Sequence, residues 1–256
     1  MTAALALLAL MASSSAPHQG GLTQEALARA TAQPAAGTRL PATLRFVDGR
    51  GGVRSLADVQ AGRPLVLLFA DFTCRHLCGP GLALTAGALH DARLAAGSDY
   101  RLAVIGLDPR DGRADAARFS ERLRQIPDVA GATTILRGDP ATIAAAARSL
   151  GYGYVHDAAT DQFAHDASVY VFAPDGHLAA LLPELALRPA AVRAAVLGAA
   201  TAHPASFGER VAHLCYGFAA LTGRFDRPVV VAMRAVTALA LLAGGAVLLL
   251  RRRRSA

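Results

Sequence analysis

Two continuous apolar runs, Leu65–Phe69 and Leu102–Leu107, constrain the fold of this chain more than any other feature. Neither run alternates apolar with polar residues, which is typical of strands that are buried on both faces of a sheet. Residues 79–94, between the two runs, carry leucines at helical spacing. A helix that connects two buried strands implies parallel pairing, because the chain must cross back over the sheet. The sequence therefore predicts an α/β domain.

The remaining elements extend this unit towards both ends of the chain. Pro174-Asp175-Gly176 is a turn between two short apolar segments and predicts a final hairpin, which adds antiparallel strands. The order of elements predicts a thioredoxin-like domain over residues 41–200, with a central mixed sheet and flanking helices. The predicted strands are 43–47, 65–69, 102–107, 133–136, 168–172 and 177–182, with a short return at 53, and the predicted helices are 79–94, 114–125, 140–150 and 189–200.

The N-terminal end differs in composition from the domain. Residues 1–16 are an apolar run followed by small residues, which resembles a secretory signal peptide, although no positive residue precedes the run. A plain apolar helix is the alternative. Residues 17–40 are rich in Ala, Gln, Thr and Gly, and they predict a linker or a loosely attached helix.

Residues 229–250 predict a transmembrane helix. Arg234 is the sole charge of this segment, and as a helix the segment would extend about 33 Å, against a hydrocarbon core of about 30 Å. Four arginines follow in the tail 251–256, and positive flanks remain in the cytoplasm. We therefore expect a single C-terminal span, joined by the juxtamembrane connector 201–228 to a domain on the outer face of the membrane. A buried core helix that ends in solvated charges is the alternative.

The net charge of +7 does not indicate a nucleic-acid partner. Arg251 to Arg254 supply four of these charges, the chain has no Trp, and its other arginines are interspersed with acidic residues. A nucleic-acid surface requires clustered cations with aromatic side chains among them. Nucleic acid is therefore not a predicted partner, whereas residues 229–250 predict a membrane as one.

The candidate site is Thr73-Cys74-Arg75-His76-Leu77-Cys78, directly after the first apolar run. A helix that begins at Cys74 would place both thiols on one face, with Cα atoms about 6 Å apart, inside the disulfide range of about 4.4–6.8 Å. A helix N-terminus also lowers the pKa of a thiol, and the thiolate is both the nucleophile and the metal ligand. The spacing suits redox chemistry or metal binding without choosing between them, and an inert structural pair is the third reading.

At these residues the chain resembles the Sco/SenC family of copper chaperones, thioredoxin-like proteins that serve cytochrome c oxidase assembly. Cys74 and Cys78 match the family's Cys-x-x-x-Cys, and Asp108-Pro109-Arg110-Asp111 is similar to its acidic loop after the next strand. His165 occupies the place of the family's third copper ligand, just before a strand and the Pro-Asp-Gly turn. Leu214-Cys215-Tyr216-Gly217, ahead of a C-terminal membrane helix, looks like one bacterial branch of the family, which implies a domain on the periplasmic face of a bacterial inner membrane.

The resemblance covers roughly residues 40–250 and implies a copper site made of Cys74, Cys78 and His165. Two thiolates and an imidazole suit Cu(I) and can also hold Cu(II). Structural zinc would want a fourth protein ligand, and the nearest candidate, His76, is better explained as a surface residue. Asp166 could orient the ring of His165 or be a solvated loop carboxylate.

The loop departs from the family pattern at two positions, which bears on its shape and redox poise. The family usually has Pro after the first cysteine, where this chain has Arg75. Pro is also common directly after the second cysteine, whereas here Gly79 precedes Pro80.

Two classes of function follow from these residues. The resemblance implies a membrane-anchored metallochaperone that delivers copper to a copper site on a cytochrome c oxidase subunit. The alternative is an enzyme, a thiol–disulfide oxidoreductase with Cys74 and Cys78 as its catalytic redox pair and no need of His165. A redox or copper sensor and a peroxidase are weaker candidates. Cys215 is not assigned to the site.

Overall fold

The computed structural model describes residues 22–74, 77–184 and 187–201. Over these ranges the chain forms a seven-stranded mixed sheet, a separate two-stranded hairpin and helices on both faces of the sheet. The strands are β1 (Arg45–Asp48), β2 (Val53–Ser55), β3 (Leu65–Ala70), β4 (Arg101–Gly106), β5 (Thr133–Arg137), β6 (Tyr154–Asp157), β7 (Gln162–His165), β8 (Ser168–Phe172) and β9 (Leu178–Pro183). The helices are α1 (Gln24–Arg29), α2 (Leu56–Gln60), α3 (Cys78–Asp91), α4 (Arg113–Ser120), α5 (Pro127–Ala132), α6 (Pro140–Ser149) and α7 (Pro189–Ala200), with a 3-10 turn at Glu121–Leu123.

The sheet is built around β3. Its order is β2-β1-β5-β4-β3-β8-β9, with β3, β4 and β5 parallel and with antiparallel pairs on either side. All six residues of β3 are buried, as the uninterrupted apolar run predicts for a strand that is covered on both faces. The predicted α/β architecture, with a central mixed sheet and flanking helices, is confirmed.

Successive side chains of β3 enter two different cores. Val66 and Leu68 pack with residues of α3 and α7 on one face, whereas Leu67 and Phe69 pack with residues of α2 and α6 on the other. The chain leaves the sheet after Ala70, at the carboxyl edge of the parallel strands. Ligand sites of open α/β sheets lie at this edge, because the loops that leave neighbouring strands meet there.

Residues 22–40, predicted as part of a linker or a loosely attached helix, instead pack against the domain. Ala32 forms a β-bridge with Tyr152, and Arg39 forms one with His177. Leu40 is buried in the core that contains Phe69. Isolated bridges leave no alternating pattern in a sequence, which is why composition alone suggested a linker.

Three further elements, α2, α5 and the β6–β7 hairpin, are not predicted from the sequence. The short helix α2 is held by a capping box in which Ser55 and Asp58 exchange hydrogen bonds at its N-terminus. The hairpin pairs Tyr154 with His165 and Asp157 with Gln162, and each of its strands has only four residues. Elements of this length contain too few residues to show a period.

None of the helices in the described ranges is long and apolar enough to span a membrane. The predicted signal peptide 1–16, transmembrane helix 229–250 and tail 251–256 lie outside the described residues. So does the predicted connector 201–228 beyond Thr201.

Candidate functional site

The two cysteines lie at the carboxyl edge of the sheet, as the sequence predicts, but they do not share a helix. Helix α3 begins at Cys78 and not at Cys74, with Leu77 at its N-cap. Cys74 lies in the turn that follows β3, where its N–H donates to the carbonyl of Asp71 at 3.2 Å. The turn, and not a helical face, therefore brings the two cysteines together.

The sulfurs of Cys74 and Cys78 are in hydrogen-bonding contact and are not joined by a disulfide. The hydrogen bond with Cys74 raises the pKa of the Cys78 thiol well above its usual range, and burial raises it further. A hydrogen bond with the backbone of Asp71 acts in the opposite direction without reversing this shift. The expectation that a helix N-terminus lowers the thiol pKa is therefore wrong for Cys78, which keeps its proton in this arrangement.

His165 reaches the same cysteine from the other side. It is the last residue of β7, and its Nε2 lies 3.2 Å from the sulfur of Cys78. The hairpin of β6 and β7 lies outside the main sheet, so this contact joins two separate parts of the fold. The structure thus brings all three predicted residues together, in the order Cys74, Cys78, His165.

Cys78 lies between the other two residues and contacts both of them, Cys74 through its sulfur and His165 through Nε2 of the ring. In the described part of the chain, no three His, Cys, Asp or Glu side chains already converge as metal ligands do. An ion held by both groups, with bonds as long as the roughly 2.0 Å to nitrogen and 2.3 Å to sulfur of zinc sites, would set the S···N separation at roughly 3.5 Å or more. The Cys78–His165 distance of 3.2 Å would therefore need to increase slightly for an ion to be held between them.

Asp71 is a residue of the site that the sequence does not predict. Only 1% of it is exposed, and its Oδ1 accepts hydrogen bonds from the N–H and the hydroxyl of Thr73, both at 3.0 Å. Its Oδ2 accepts from the N–H of Phe163, in β7, at 3.3 Å. This buried carboxylate therefore ties the cysteine turn to the strand that carries His165. A lone Asp after an apolar run gives no sequence signal for such a role.

The acidic loop after β4 lies beside the cysteine turn. Asp111 accepts a hydrogen bond from the N–H of Phe72 at 3.2 Å, and burial together with the charges of Asp108 and Asp71 raises its pKa to about 7. Burial alone would raise the pKa of Asp108, but the hydrogen bonds of Arg110 lower it on balance. The cavity at this loop has a volume of about 330 Å³ and is lined by Thr73, Asp108, Arg110, Asp111, Asp115, Asp161 and Gln162.

Of the other candidate residues, Asp166 is described by the structure, whereas His76 and Cys215 are not. Asp166 does not place its carboxylate on His165, because that group accepts a hydrogen bond from the Ser168 hydroxyl, whereas its backbone carbonyl lies 3.0 Å from Nδ1 of His165. His76 and Cys215 lie outside the described residues.

Glu184 is a second buried carboxyl group near the site. It is 5% exposed, it lies against the backbone of Gly81 in the first turns of α3, and its Oε1 accepts from the Thr85 hydroxyl at 3.3 Å. Burial raises the pKa of Glu184 to about 7, and the charge of Asp166 contributes to the shift. The folded protein therefore holds a proton at Glu184 more tightly than the unfolded chain does.

We expect Glu184→Gln to change the pH dependence of stability. A carboxyl pKa that is raised on folding contributes stability below about pH 4.5, and this contribution is lost as pH rises through about 7. The variant should match the wild type in acid and exceed it above about pH 8 by about 3 kcal/mol. Urea unfolding across this pH range measures the difference. Glu25→Gln, at an exposed glutamate of α1, is the control, and a difference that does not vary with pH would contradict the prediction.

The chain resembles known proteins in two ways, by a match to a family model and by a fold shared with solved structures. The SCO1/SenC family model matches residues 32–200 of the chain. Arabidopsis thaliana ScoI, solved with copper bound, superposes with a TM-score of 0.53 at 18% identity, over 66% of this chain and 100% of that one. A SCO1/SenC family lipoprotein from Bacillus anthracis gives 0.55 at 16% identity, over 64% and 96%. BsSco, described as a member of the Sco family of cytochrome c oxidase assembly proteins, gives 0.54 at 20% identity, over 67% and 98%.

These structural likenesses, at such low identity, show the fold. Together with the family match they confirm the predicted thioredoxin-like class. No curated protein matches the chain.

Proposed function

The chain belongs to the SCO1/SenC family, and on that premise we propose that it is a membrane-anchored copper metallochaperone. The copper ion is its cargo, held by Cys74, Cys78 and His165. The observation that carries this proposal is the 3.2 Å contact between Nε2 of His165 and the sulfur of Cys78, which itself contacts Cys74. The three donors come from two separate parts of the fold, and Cys78 contacts both of the others.

The chemistry of the three donors fits copper. Thiolate sulfur is a soft ligand that favours Cu(I), and an imidazole nitrogen suits either oxidation state of copper. Both thiols must lose their protons to become ligands, so loading releases protons and depends on pH. The positive charge of the ion offsets the two effects that raise the pKa of the Cys78 thiol, first its hydrogen bond with Cys74 and then its burial.

The accessibility of the two cysteines suggests an order of transfer. Cys74 is half-buried and Cys78 is buried. A donor from a partner protein can therefore reach the ion first on the side of Cys74 and replace that thiolate. Exchange at Cys78 and His165 follows, and the ion passes to an empty copper site. We propose that this site belongs to a cytochrome c oxidase subunit, the assembly in which BsSco is described as acting.

The proposed location rests on the two ends of the chain. Residues 1–16 would direct export, and 229–250 would form the single span, followed by the basic tail 251–256. The domain then lies at the periplasmic face of the inner membrane, where a membrane-bound oxidase subunit can present its copper site.

Copper retention by the purified full-length chain in detergent tests the proposal. We expect the reduced protein to retain about one Cu(I) per chain, and His165→Ala to weaken binding at least about tenfold. Cys74→Ser and Cys78→Ser should weaken it further, because a hydroxyl is a poor ligand for Cu(I). All variants carry Cys215→Ser, so that the third thiol cannot supply a ligand.

His156→Ala is the matched control for the histidine variant. His156 lies on β6 of the same hairpin. Its Nε2 is hydrogen-bonded to the carboxylate of Asp161 at 2.9 Å and not to a cysteine. Its removal should leave copper retention within about twofold of the parent. Equal retention by His165→Ala and His156→Ala would refute the three-ligand site.

The contact between the two sulfurs also favours a second candidate, a thiol–disulfide oxidoreductase. The sulfur of Cys74 would attack a disulfide of the partner and release one partner thiol. Cys78 would then displace the second partner sulfur, which leaves a Cys74–Cys78 disulfide and two reduced partner cysteines. This reaction needs no imidazole ligand, so reductase turnover that survives His165→Ala, in a protein that retains no copper, would favour it.

A further inference from the structure

Tyr152 contacts Nδ1 of His165, the ring nitrogen that does not face Cys78. Its hydroxyl oxygen lies 2.7 Å from Nδ1 of His165 and 2.6 Å from the backbone carbonyl of Asp166. Tyr152 is 4% exposed, so water does not replace these partners. The hydroxyl therefore lies between a ring nitrogen and a carbonyl oxygen, each within hydrogen-bonding distance.

The arrangement of protons follows from what each atom can do. A carbonyl oxygen only accepts, so the single hydroxyl proton of Tyr152 is donated to Asp166. The hydroxyl oxygen then accepts from His165, which requires a proton on Nδ1. A neutral imidazole carries one N–H, so its Nε2 is left with a lone pair. That lone pair faces the sulfur of Cys78 at 3.2 Å.

We infer that Tyr152 is a positioning residue that holds His165 in the tautomer with Nδ1 protonated and Nε2 ready to bind the cargo ion. The inference rests on the proposed copper-carrying function for its consequence, but the arrangement of protons exists without copper. Hydrogen bonds of this kind to the second ring nitrogen of a histidine ligand fix its orientation and raise its basicity.

The surrounding packing prevents the hydroxyl from turning away. The ring of Tyr152 stacks on Phe69 with centroids 4.2 Å apart, and the edge of its ring faces Tyr170 at 6.2 Å. Its backbone N–H donates to the carbonyl of Ala147 at 2.8 Å, and Tyr152 also forms an isolated β-bridge with Ala32. Rotation of this side chain would break contacts with the buried end of β3, so the hydroxyl is held in place.

The carbonyl of Asp166 could provide part of this effect alone, because it also lies 3.0 Å from Nδ1. Nδ1 of His165 thus has two oxygen contacts, the Tyr152 hydroxyl and the Asp166 carbonyl. In Tyr152→Phe only the longer contact, with the carbonyl, remains. We therefore expect the Nδ1-protonated tautomer to lose its dominance, with an appreciable Nε2-protonated fraction. The copper affinity should fall about tenfold, because Nε2 must first lose its proton to become a ligand.

The experiment compares Tyr152→Phe with Tyr170→Phe in the full-length chain. Tyr170 is a matched control, because its hydroxyl is also buried and donates to a backbone carbonyl, that of Leu150 at 3.1 Å, without contact to His165. In the reduced, metal-free protein, nitrogen NMR of labelled histidine reports the protonation of each ring nitrogen. Competition with a Cu(I) chelator reports the affinity of the same samples.

We expect a change of tautomer and about a tenfold loss of affinity in Tyr152→Phe, and neither in Tyr170→Phe. Identical histidine spectra for wild type and Tyr152→Phe would overturn the role of Tyr152, and so would a wild-type ring with its proton on Nε2. The two proposals fail separately: a wild type that shows the expected tautomer but retains no Cu(I) would refute the copper function and leave the positioning of His165 intact.

Discussion

Replacing Gly153 with alanine is expected to lower the free energy of unfolding by about 3 kcal/mol. A Cβ atom at this position would lie 1.8 Å from the carbonyl oxygen of Arg29, which is backbone and cannot change rotamer. The segment that carries Arg29 is also tied to the same loop by two hydrogen bonds. The N–H of Gly153 donates to Thr31 at 2.8 Å, and the N–H of Gln33 donates to Gly151 at 2.7 Å. The clash can be relieved only if these bonds break.

Gly198→Ala is the control for this substitution. Gly198 lies inside α7, and a Cβ atom there would meet nothing within 4 Å, so the same change should stabilise the protein by up to about 1 kcal/mol. Urea unfolding of the full-length variants in detergent measures both effects. Amide exchange at Gln33 and Gly153 reports whether the N-terminal segment has detached. Slow exchange at these amides together with an unchanged unfolding midpoint in Gly153→Ala would contradict the predicted clash, because the segment would then accommodate the Cβ atom without detaching.

The central sheet could be predicted because its signal is local. The run Leu65–Phe69 has no polar residue, and that pattern by itself indicates burial on both faces. The attachment of residues 22–40 could not be predicted, because it depends on close backbone approach at Gly151 and Gly153. Nothing in the segment itself shows that these glycines lie opposite to it.

The site shows the same division between local and long-range information. Cys74 and Cys78 are recognisable from their spacing after a buried strand, and His165 from the resemblance of the residues around it. Asp71 and Tyr152 act through partners that are far away in the sequence, Phe163 and His165. The start of α3 at Cys78 was also unpredictable, because the turn before it is closed by a hydrogen bond to the Asp71 carbonyl and not by helical spacing.

Asp71→Ala is expected to disrupt the site more than any other change to a residue that is not one of the proposed ligands. The variant removes the acceptor for the N–H groups of Thr73 and Phe163 and for the Thr73 hydroxyl. A buried N–H without a partner costs about 1–3 kcal/mol, so we expect a loss of about 3 kcal/mol in unfolding free energy. The turn that carries Cys74 and the strand that carries His165 then lose their direct connection, and Cu(I) retention should fall at least about tenfold.

Asp71→Asn isolates the connection between the turn and β7. Its side-chain oxygen can still accept from Thr73, but its amide NH₂ would face the N–H of Phe163, two donors with no acceptor between them. We expect this variant to keep most of the stability of the turn and to lose much of the copper affinity.

Asp48→Ala is the control that separates an effect on the site from a general loss of stability. Asp48 is also buried, with 5% of it exposed, and accepts from the N–H groups of Arg50 and Gly52, away from the cysteines.

Asp48→Ala should lower the unfolding free energy by an amount similar to Asp71→Ala while copper retention at low denaturant stays within about twofold of the wild type. Two variants of matched stability that differ in copper retention would mean that Asp71 acts by holding the two halves of the site together. Equal copper retention in the two variants would mean that Asp71 contributes only to folding. His165 would then be kept near Cys78 by the β6–β7 hairpin and Tyr152 alone, since those contacts do not pass through Asp71.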